Sequence, residues 1–348
     1  MVGSTRDGET HRGAPVLSPE EKMSEQLMRA AISALAETPV VFPNPRVVCI
    51  IADEYGNEIA RGIHPGAGQP HAEVFALRAA GERARGATAI VTMEPCNHTG
   101  RTGPCSQALI DAGIKRVVFA QHDPNPQAAG GAETLRAAGI EVIEGVLEED
   151  SRALNREWTF SVVMKRPFVT WKYAATLDGR IAASDGTSRW ISSEASRTDT
   201  HHLRARCDAI AVGTGTWEAD QPALNVRLEN YTGPQPLRVV LGMRDIDAPD
   251  DVLHIRSHDP QEILETLAAH EIRHLLIEGG PKVAGAFLNA SAIDEVIAYL
   301  TPALMGAGMN AIEGRETTLA DMVHIDIDDV IPVGPDLRIT GRPVKEIH

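Results

Sequence analysis

His71-Ala-Glu-Val-Phe-Ala-Leu77, followed by Glu94-Pro-Cys-Asn-His-Thr-Gly-Arg-Thr-Gly-Pro-Cys105, is the stretch on which the reading of this chain turns. It supplies one imidazole (His71), two thiols (Cys96 and Cys105) and one carboxylate (Glu73). Those are the donors of a zinc site with three protein ligands and a fourth position left to water. The carboxylate is not needed as a ligand and suits a proton carrier. Gln69-Pro70 marks a helix start at His71. Two positions apart on a helix, His71 and Glu73 point in different directions, so one can hold a metal while the other leans over its open side. Ala89 to Met93 reads as a buried strand leading into Cys96, and Pro104 opens the next helix. A thiol at a helix N-terminus is more readily ionised, as zinc requires.

His-x-Glu, then Pro-Cys, then Cys is the order of groups in zinc nucleobase deaminases, where two residues separate the thiols. Here eight do, Asn97 to Pro104. With two, both thiols would share a helix turn. With eight, Cys96 must come from a loop that folds back, and Asn97 to Gly103 then borders the site. Arg101 is a candidate for a substrate phosphate, and His98 or Asn97 for a ring. Each alone reads equally well as a solvated loop residue. A structural zinc site normally closes with four protein ligands. No fourth is evident, which favours a catalytic site.

Outward from this stretch the elements alternate. Ser18-Pro-Glu-Glu21 is a capping box opening a helix to about Glu37. Strands are expected at Val47–Ala52, Glu58–His64, Ala89–Met93, Arg116–Ala120 and Ile140–Ile143. Helices are expected from His71 to about Arg85, from Pro104 to near Gly113, and over Glu133–Ala138. Leu147 to about Met164 reads as one connecting helix. A second α/β region begins at Pro167-Phe-Val-Thr-Trp-Lys172, with strands at Ala209–Val212, Leu237–Leu241, His274–Ile277 and Glu295–Leu300. The expected division is an extension over 1–20, a first domain, carrying the zinc set, over 21–165 and a second domain over 166–348.

Composition bounds the function. The 348 residues are 43% hydrophobic and 23% charged, and only 4% aromatic, so the core must rest on aliphatic side chains. A formal charge of −15 argues against a nucleic-acid partner, which calls for a basic footprint. It leaves room for a small phosphorylated substrate, which needs only a few local cations. Four Cys are no disulfide scaffold; Cys49 and Cys207 lie in apolar strand contexts and read as buried spectators. No apolar run reaches the roughly 18 residues of a membrane span. Met1 to Pro15 has no apolar run, is not expected to be a signal peptide, and is expected to be disordered. A cytoplasmic setting, no membrane partner and a homo-oligomer are expected.

The second half carries no metal or nucleophile motif. Strand His274–Ile277, Gly279-Gly280 and a helix from Pro281 form a strand-Gly-helix cradle for phosphate. Gly213-Thr-Gly215 after another strand is a second point of close approach.

Together with Pro43-Asn-Pro45, Asp123-Pro-Asn-Pro-Gln127, Trp171-Lys-Tyr-Ala-Ala-Thr-Leu-Asp-Gly-Arg180, Ser188-Arg-Trp-Ile191, Ala219-Asp-Gln-Pro-Ala-Leu-Asn-Val-Arg227 and Glu278-Gly-Gly-Pro281, the stretch resembles the bifunctional riboflavin-biosynthesis deaminase-reductase family, RibD. The resemblance runs from about Met23 to the C-terminus. It implies an α/β chain with an N-terminal cytidine-deaminase-like α/β/α domain and a dihydrofolate-reductase-like α/β domain after it. It implies Zn2+ and NADPH as cofactors, and a diamino-hydroxy-pyrimidine carrying a phosphoribosylamino group as substrate. His71, Cys96 and Cys105 become the zinc ligands, Glu73 the proton shuttle, and Asn44 a ring contact beside His98 and Arg101. Lys172, Ser188, Arg204, Leu224, Arg227 and Glu278 would meet the second substrate, with the arginines on its phosphate. Ala174, Asp178, Trp190, Thr216, Asp220, Gly280, Pro281, Lys282, Val283, Ala284, Gly285 and Ala286 would meet NADPH. Lys172 reads equally as a snorkelling side chain, and Asp178 as a turn residue before Gly179.

Departures from the family pattern at Val41-Phe42, Val47-Val48, Gly103, Gly131 and Gln221 leave the zinc set untouched. Phe42 and Gly131 fall where substrate contacts are expected. Two rival readings stay open on the residues alone. One is a zinc deaminase of another pyrimidine with an altered or silent reductase half; the other is a zinc-stabilised module that binds a nucleotide without catalysis.

Overall fold

In a computed structural model, residues 18–98, 103–314 and 318–344 are described. The expected N-terminal extension lies largely outside them. Among the described residues the chain builds a five-stranded sheet, an eight-stranded sheet and a short two-stranded one.

The first half starts with helix α1 (Pro19–Glu37), capped by Ser18 and Glu21 in the expected reciprocal pair. Strands β1 (Val48–Ala52) and β2 (Glu58–Ile63) form an antiparallel pair. Helix α2 (Ala72–Ala80), strand β3 (Thr88–Met93), helix α3 (Cys105–Asp111), strand β4 (Arg116–Gln121), helix α4 (Gly131–Ala137) and strand β5 (Glu141–Ile143) follow. Sheet order is β2-β1-β3-β4-β5, with β3, β4 and β5 parallel. The two-residue period of a strand divides the core. Cys49, Ile51, Ala89, Val91, Val117 and Phe119 face α2, α3 and α4, against Ala72, Ala76, Leu109 and Leu135. Val48, Ile50, Ile90 and Val118 face α1, against Leu27, Met28, Ala31 and Leu35. A sheet sealed on both sides needs largely apolar strands: β1 is apolar throughout, and β3 is buried throughout with Thr88 and Thr92 in its run.

The connecting helix is two helices, α5 (Glu148–Leu154) and α6 (Arg156–Met164), broken at Asn155. The break has a long-range cause. The Asn155 amide accepts from the Arg46 backbone N–H at 3.0 Å and donates to the Arg46 carbonyl at 2.9 Å.

The second half runs through β6 (Phe168–Thr176), β7 (Arg180–Ala182), α7 (Glu194–Arg204), β8 (Ala209–Gly213), α8 (Thr214–Asp220), β9 (Leu237–Leu241), β10 (Val252–Ile255), α9 (Pro260–Ala269), β11 (His274–Glu278), α10 (Pro281–Asn289), β12 (Glu295–Thr301), β13 (Met309–Asn310), β14 (Ile325–Val333) and β15 (Asp336–Pro343). Eight of these strands form one sheet, in the order β10-β9-β8-β11-β6-β12-β15-β14. It is parallel from β10 to β12 and ends in the antiparallel β15-β14 hairpin. Phe287, Leu264 and Leu267 pack one face, while Leu203, Trp217 and Leu224 pack the other. The parallel order places the C-terminal ends of β8, β11 and β6 side by side. Ligands bind at such ends in open α/β sheets.

Candidate active site

His71 is the N-cap residue of α2 and its side chain makes no capping bond, so the imidazole is free for other work. Its Nδ1 lies 3.2 Å from the Cys105 sulfur and 3.4 Å from that of Cys96. The three ligand atoms all fall within 4.8 Å of one another, the spacing that a tetrahedral metal spans. Cys105 is the first residue of α3, and its backbone N–H points at the Cys96 sulfur at 3.5 Å. Cys96 sits beyond the end of β3 on the returning loop expected from the wide gap. Two thiolates, one imidazole and no fourth protein donor among the described residues fit zinc with one position open. Without a metal's charge the two thiols share a proton. Cys96 is held down, to about 4, by hydrogen bonding from Cys105 and His71, while Cys105 is pushed up by the same partnership.

Glu73 stands on the first turn of α2, only 3% exposed. Burial, and then the Cys96 charge, push its carboxyl up to about 7. A zinc ion beside it would favour the carboxylate, the form that can accept a proton from a bound water. Glu94 performs a different task. Its buried carboxylate accepts the backbone N–H groups of Asp123 (3.3 Å), Gly130 (3.2 Å) and Ala132 (3.1 Å), pinning the Asp123–Ala132 segment beside the Cys loop. Gly131 belongs to that joint. A Cβ there would fall 1.8 Å from the Pro95 carbonyl oxygen, so this position is a close backbone approach and offers no side chain to a substrate.

These groups open into a cavity of about 390 Å³, a size suited to a small ligand. Asn44 lines it, its amide 2.8 Å from His64 Nε2. His98 lines it with a buried Nδ1 that has no hydrogen-bond partner. Asn97 is spent locally, accepting from the Ser106 hydroxyl at 2.9 Å, and Arg101 lies outside the described residues. Sequence reasoning did not single out Asp123 and Asn125, although the motif containing them was visible, nor Trp158, Val162, Glu271 and Arg273. Trp158 is brought in by its indole N–H, which donates to the Pro43 carbonyl at 3.0 Å. Asp123 is pushed up to about 6, chiefly by burial.

The second site forms at the ends of β6, β8 and β11. Lys172 and Glu278 are cross-strand partners on β6 and β11. Arg204, at the end of α7, meets Glu278 through two bonds of 2.6 and 2.7 Å, and its Nη1 donates to the Asn225 carbonyl at 3.0 Å. Three of its five N–H groups are thus taken up by Glu278 and the backbone. Arg227 is exposed; its guanidinium donates to the Asn225 side chain at 2.6 Å and its backbone N–H to His201 at 3.2 Å. Burial lowers the Lys172 amine, opposed by Glu278.

The two glycine turns meet. A Cβ on Gly280 would lie 3.4 Å from Val283 and 3.6 Å from the Gly213 nitrogen, and one on Gly279 would lie 3.6 Å from Thr216. Bare backbone at both turns, backed by the start of α10, fits a pyridine-nucleotide phosphate. The Gly280–Ala286 run does not face this turn as a whole. Ala284 is core, and a Cβ on Gly285 would strike the Glu313 carbonyl at 1.9 Å. Asp178 is a turn residue, accepting from Thr176 (2.6 Å), Met305 N (3.0 Å) and Gly306 N (2.6 Å). Leu224 is buried core beside Leu203, and Trp190 is exposed, with Arg197 4.5 Å over its ring. Asp220 ends α8, 3.6 Å from Arg189, and Ser188 is half-buried in the turn to Ile191. Ala174 packs at the margin of the core.

A zinc-ligand triad with a buried carboxylate on an α/β/α layer, joined to a parallel sheet with a glycine cradle, defines a zinc-dependent pyrimidine deaminase fused to an NADPH-dependent reductase. Residues 21–121 match the family described as the cytidine and deoxycytidylate deaminase zinc-binding region, and residues 167–338 match the RibD C-terminal domain. The riboflavin biosynthesis protein RibD of Mycobacterium tuberculosis is 47% identical over 310 residues, covering 86% of this chain and 91% of that protein. Its Escherichia coli counterpart is 38% identical over 340 residues, covering 85% and 92%. Among solved structures, RibD of Acinetobacter baumannii superposes with a TM-score of 0.88 at 38% identity, covering 93% of this chain and all of that one. The chain belongs to the RibD family and is a bifunctional enzyme of riboflavin biosynthesis. No described helix is long and apolar enough to cross a membrane.

Proposed function

We propose that the first half deaminates a 2,5-diamino-6-(phosphoribosylamino)pyrimidinone and that the second half reduces the ribosylamino group of the product to ribitylamino. The observation that carries this is the convergence of His71, Cys96 and Cys105 beside buried Glu73 in a cavity lined by Asn44 and His98. A solved relative from Thermotoga maritima, 35% identical with a TM-score of 0.85, bears the name diaminohydroxyphosphoribosylaminopyrimidine deaminase/5-amino-6-(5-phosphoribosylamino)uracil reductase. Zinc supplies a Lewis acid that makes water nucleophilic near neutral pH. Glu73 accepts the proton of the attacking water and returns it to the leaving amine, so that ammonia departs. Asn44 and the unpartnered His98 nitrogen orient the ring. In the second half NADPH supplies hydride. Gly213, Gly279, Gly280 and the first turn of α10 hold the cofactor's phosphate. Lys172 and Glu278 flank the sugar carbon that accepts hydride, Arg204 fixes Glu278, and exposed Arg227 meets the substrate's phosphate.

The division falls at 165/166 in this reading, between the end of α6 and the start of β6. A homo-oligomer is supported by exposed Ile325, Ile327 and Val330 on the edge strand β14. The test follows two products separately. With the phosphoribosylamino-pyrimidine alone, ammonia is released; with NADPH added, stoichiometric NADPH oxidation follows. NADPH oxidation without prior ammonia release overturns the order, and ammonia from cytidine at an equal rate overturns the substrate.

A further inference from the structure

The cavity that holds the zinc triad is not walled by the first half alone. Glu271 and Arg273, on the segment between α9 and β11 of the second half, line it together with Trp158 and Val162 of α6. Arg273 is the single Lys or Arg among the described residues of that lining. Its backbone is fixed on both sides: its N–H donates to the Asp208 carboxylate, and its carbonyl accepts from the Phe168 N–H at 2.8 Å. Its guanidinium is not fixed in the same way. Nε is shut off from solvent and has no hydrogen-bond partner. A buried donor without an acceptor is costly and is rarely left so unless something else completes it. Among the carboxylates of the lining, Glu94 is spent on backbone N–H groups and Glu271 is exposed.

We propose that Arg273, a residue of the reductase half, receives the phosphate of the substrate bound in the deaminase cavity. This rests on the reading of that cavity as the site of a phosphoribosylamino-pyrimidine. A guanidinium presents two parallel N–H groups that match two oxygens of a phosphate, a match that a lysine point charge does not make. The first reaction therefore draws a specificity residue from the domain that performs the second.

The test uses the full zinc-loaded chain. Ammonia release is measured for Arg273→Gln, Arg273→Lys and wild type, with the phosphorylated pyrimidine and with its dephosphorylated counterpart. In Arg273→Gln, KM for the phosphorylated compound should rise at least about tenfold while kcat stays within about twofold. KM for the dephosphorylated compound should not move, and Arg273→Lys should recover part of the loss. Ribose 5-phosphate should compete in wild type and more weakly in Arg273→Gln. Unchanged zinc content and unchanged reduction of the deaminated compound report an intact fold. An equal rise for both compounds makes Arg273 a merely structural residue and overturns the inference, as does no change for either. A wild-type chain that releases no ammonia from the phosphorylated pyrimidine overturns the underlying reading instead, whatever the variants do.

Discussion

Glu73 is the residue with the most concentrated role. It is not a zinc donor, so Glu73→Gln should retain a full equivalent of zinc by metal analysis while ammonia release falls at least about a hundredfold. Reduction of the deaminated intermediate should be unaffected; equal loss of both activities in a zinc-loaded chain would contradict the assignment. Asp208 governs stability instead. Burial pushes its carboxyl up to about 8, and Oδ1 has no partner. An unfolded Asp titrates at about 3.9. Between those values the folded chain binds the extra proton, so stability is fullest at the acid end and falls as pH rises towards 8. Asp208→Asn, which keeps one oxygen for the Arg273 and His274 N–H groups, should flatten the decline in Tm between pH 5 and 8. An unaltered slope would refute this. At this scale the zinc set was legible because metal chemistry restricts residue type. The Arg204–Glu278 pair was not, because the two residues are 74 positions apart and only the adjacency of β6, β8 and β11 brings them together.

Among the elements, α4 depends on what it touches. Its first residue, Gly131, looked in the sequence like a missing basic contact. The structure gives it a steric reason, the Pro95 carbonyl 1.8 Å from where a Cβ would stand. Gly131→Ala must push α4 away from the Cys loop. It should lower zinc retention during dialysis and cut deamination, leaving NADPH oxidation intact; normal zinc retention would show that the joint yields. Strands β1 and β3 were readable because burial on both faces demands a largely apolar run. The pause at Asn155 was not, because asparagine is tolerated within helices and the cause, the Arg46 backbone, lies 109 residues away. The hairpin β14-β15 was missed for the opposite reason: β14 is an exposed edge, and Ile325-Asp-Ile-Asp-Asp-Val330 lacks the apolar signature of a core strand.

For the whole molecule, the two chemistries should separate under chelation. Dialysis against a strong zinc chelator should abolish ammonia release while the NADPH-dependent rate on the deaminated compound persists, and readdition of zinc should restore the first. Simultaneous loss of both rates would mean that zinc holds the entire chain together. The two-part organisation was legible from the alternation of elements and from two unrelated motif sets. The shared wall of the first cavity was not, because neither half's sequence announces that its surface will be used by the other.

The connection between the halves has a consequence for how such a chain changes over generations. Arg156 on α6 bridges Glu157 and, 139 residues on, Glu295, each at 2.8 Å, while Trp158 of the same helix reaches Pro43. A single helix thus carries obligations to both partners within three consecutive positions. Exchange of the second half for that of a distant relative would separate Arg156 from Glu295, while the Trp158–Pro43 bond stays within the first half. The crossover points that survive such shuffling should avoid the 155–166 region, and substitutions at 156, 157 and 295 should appear in company instead of alone.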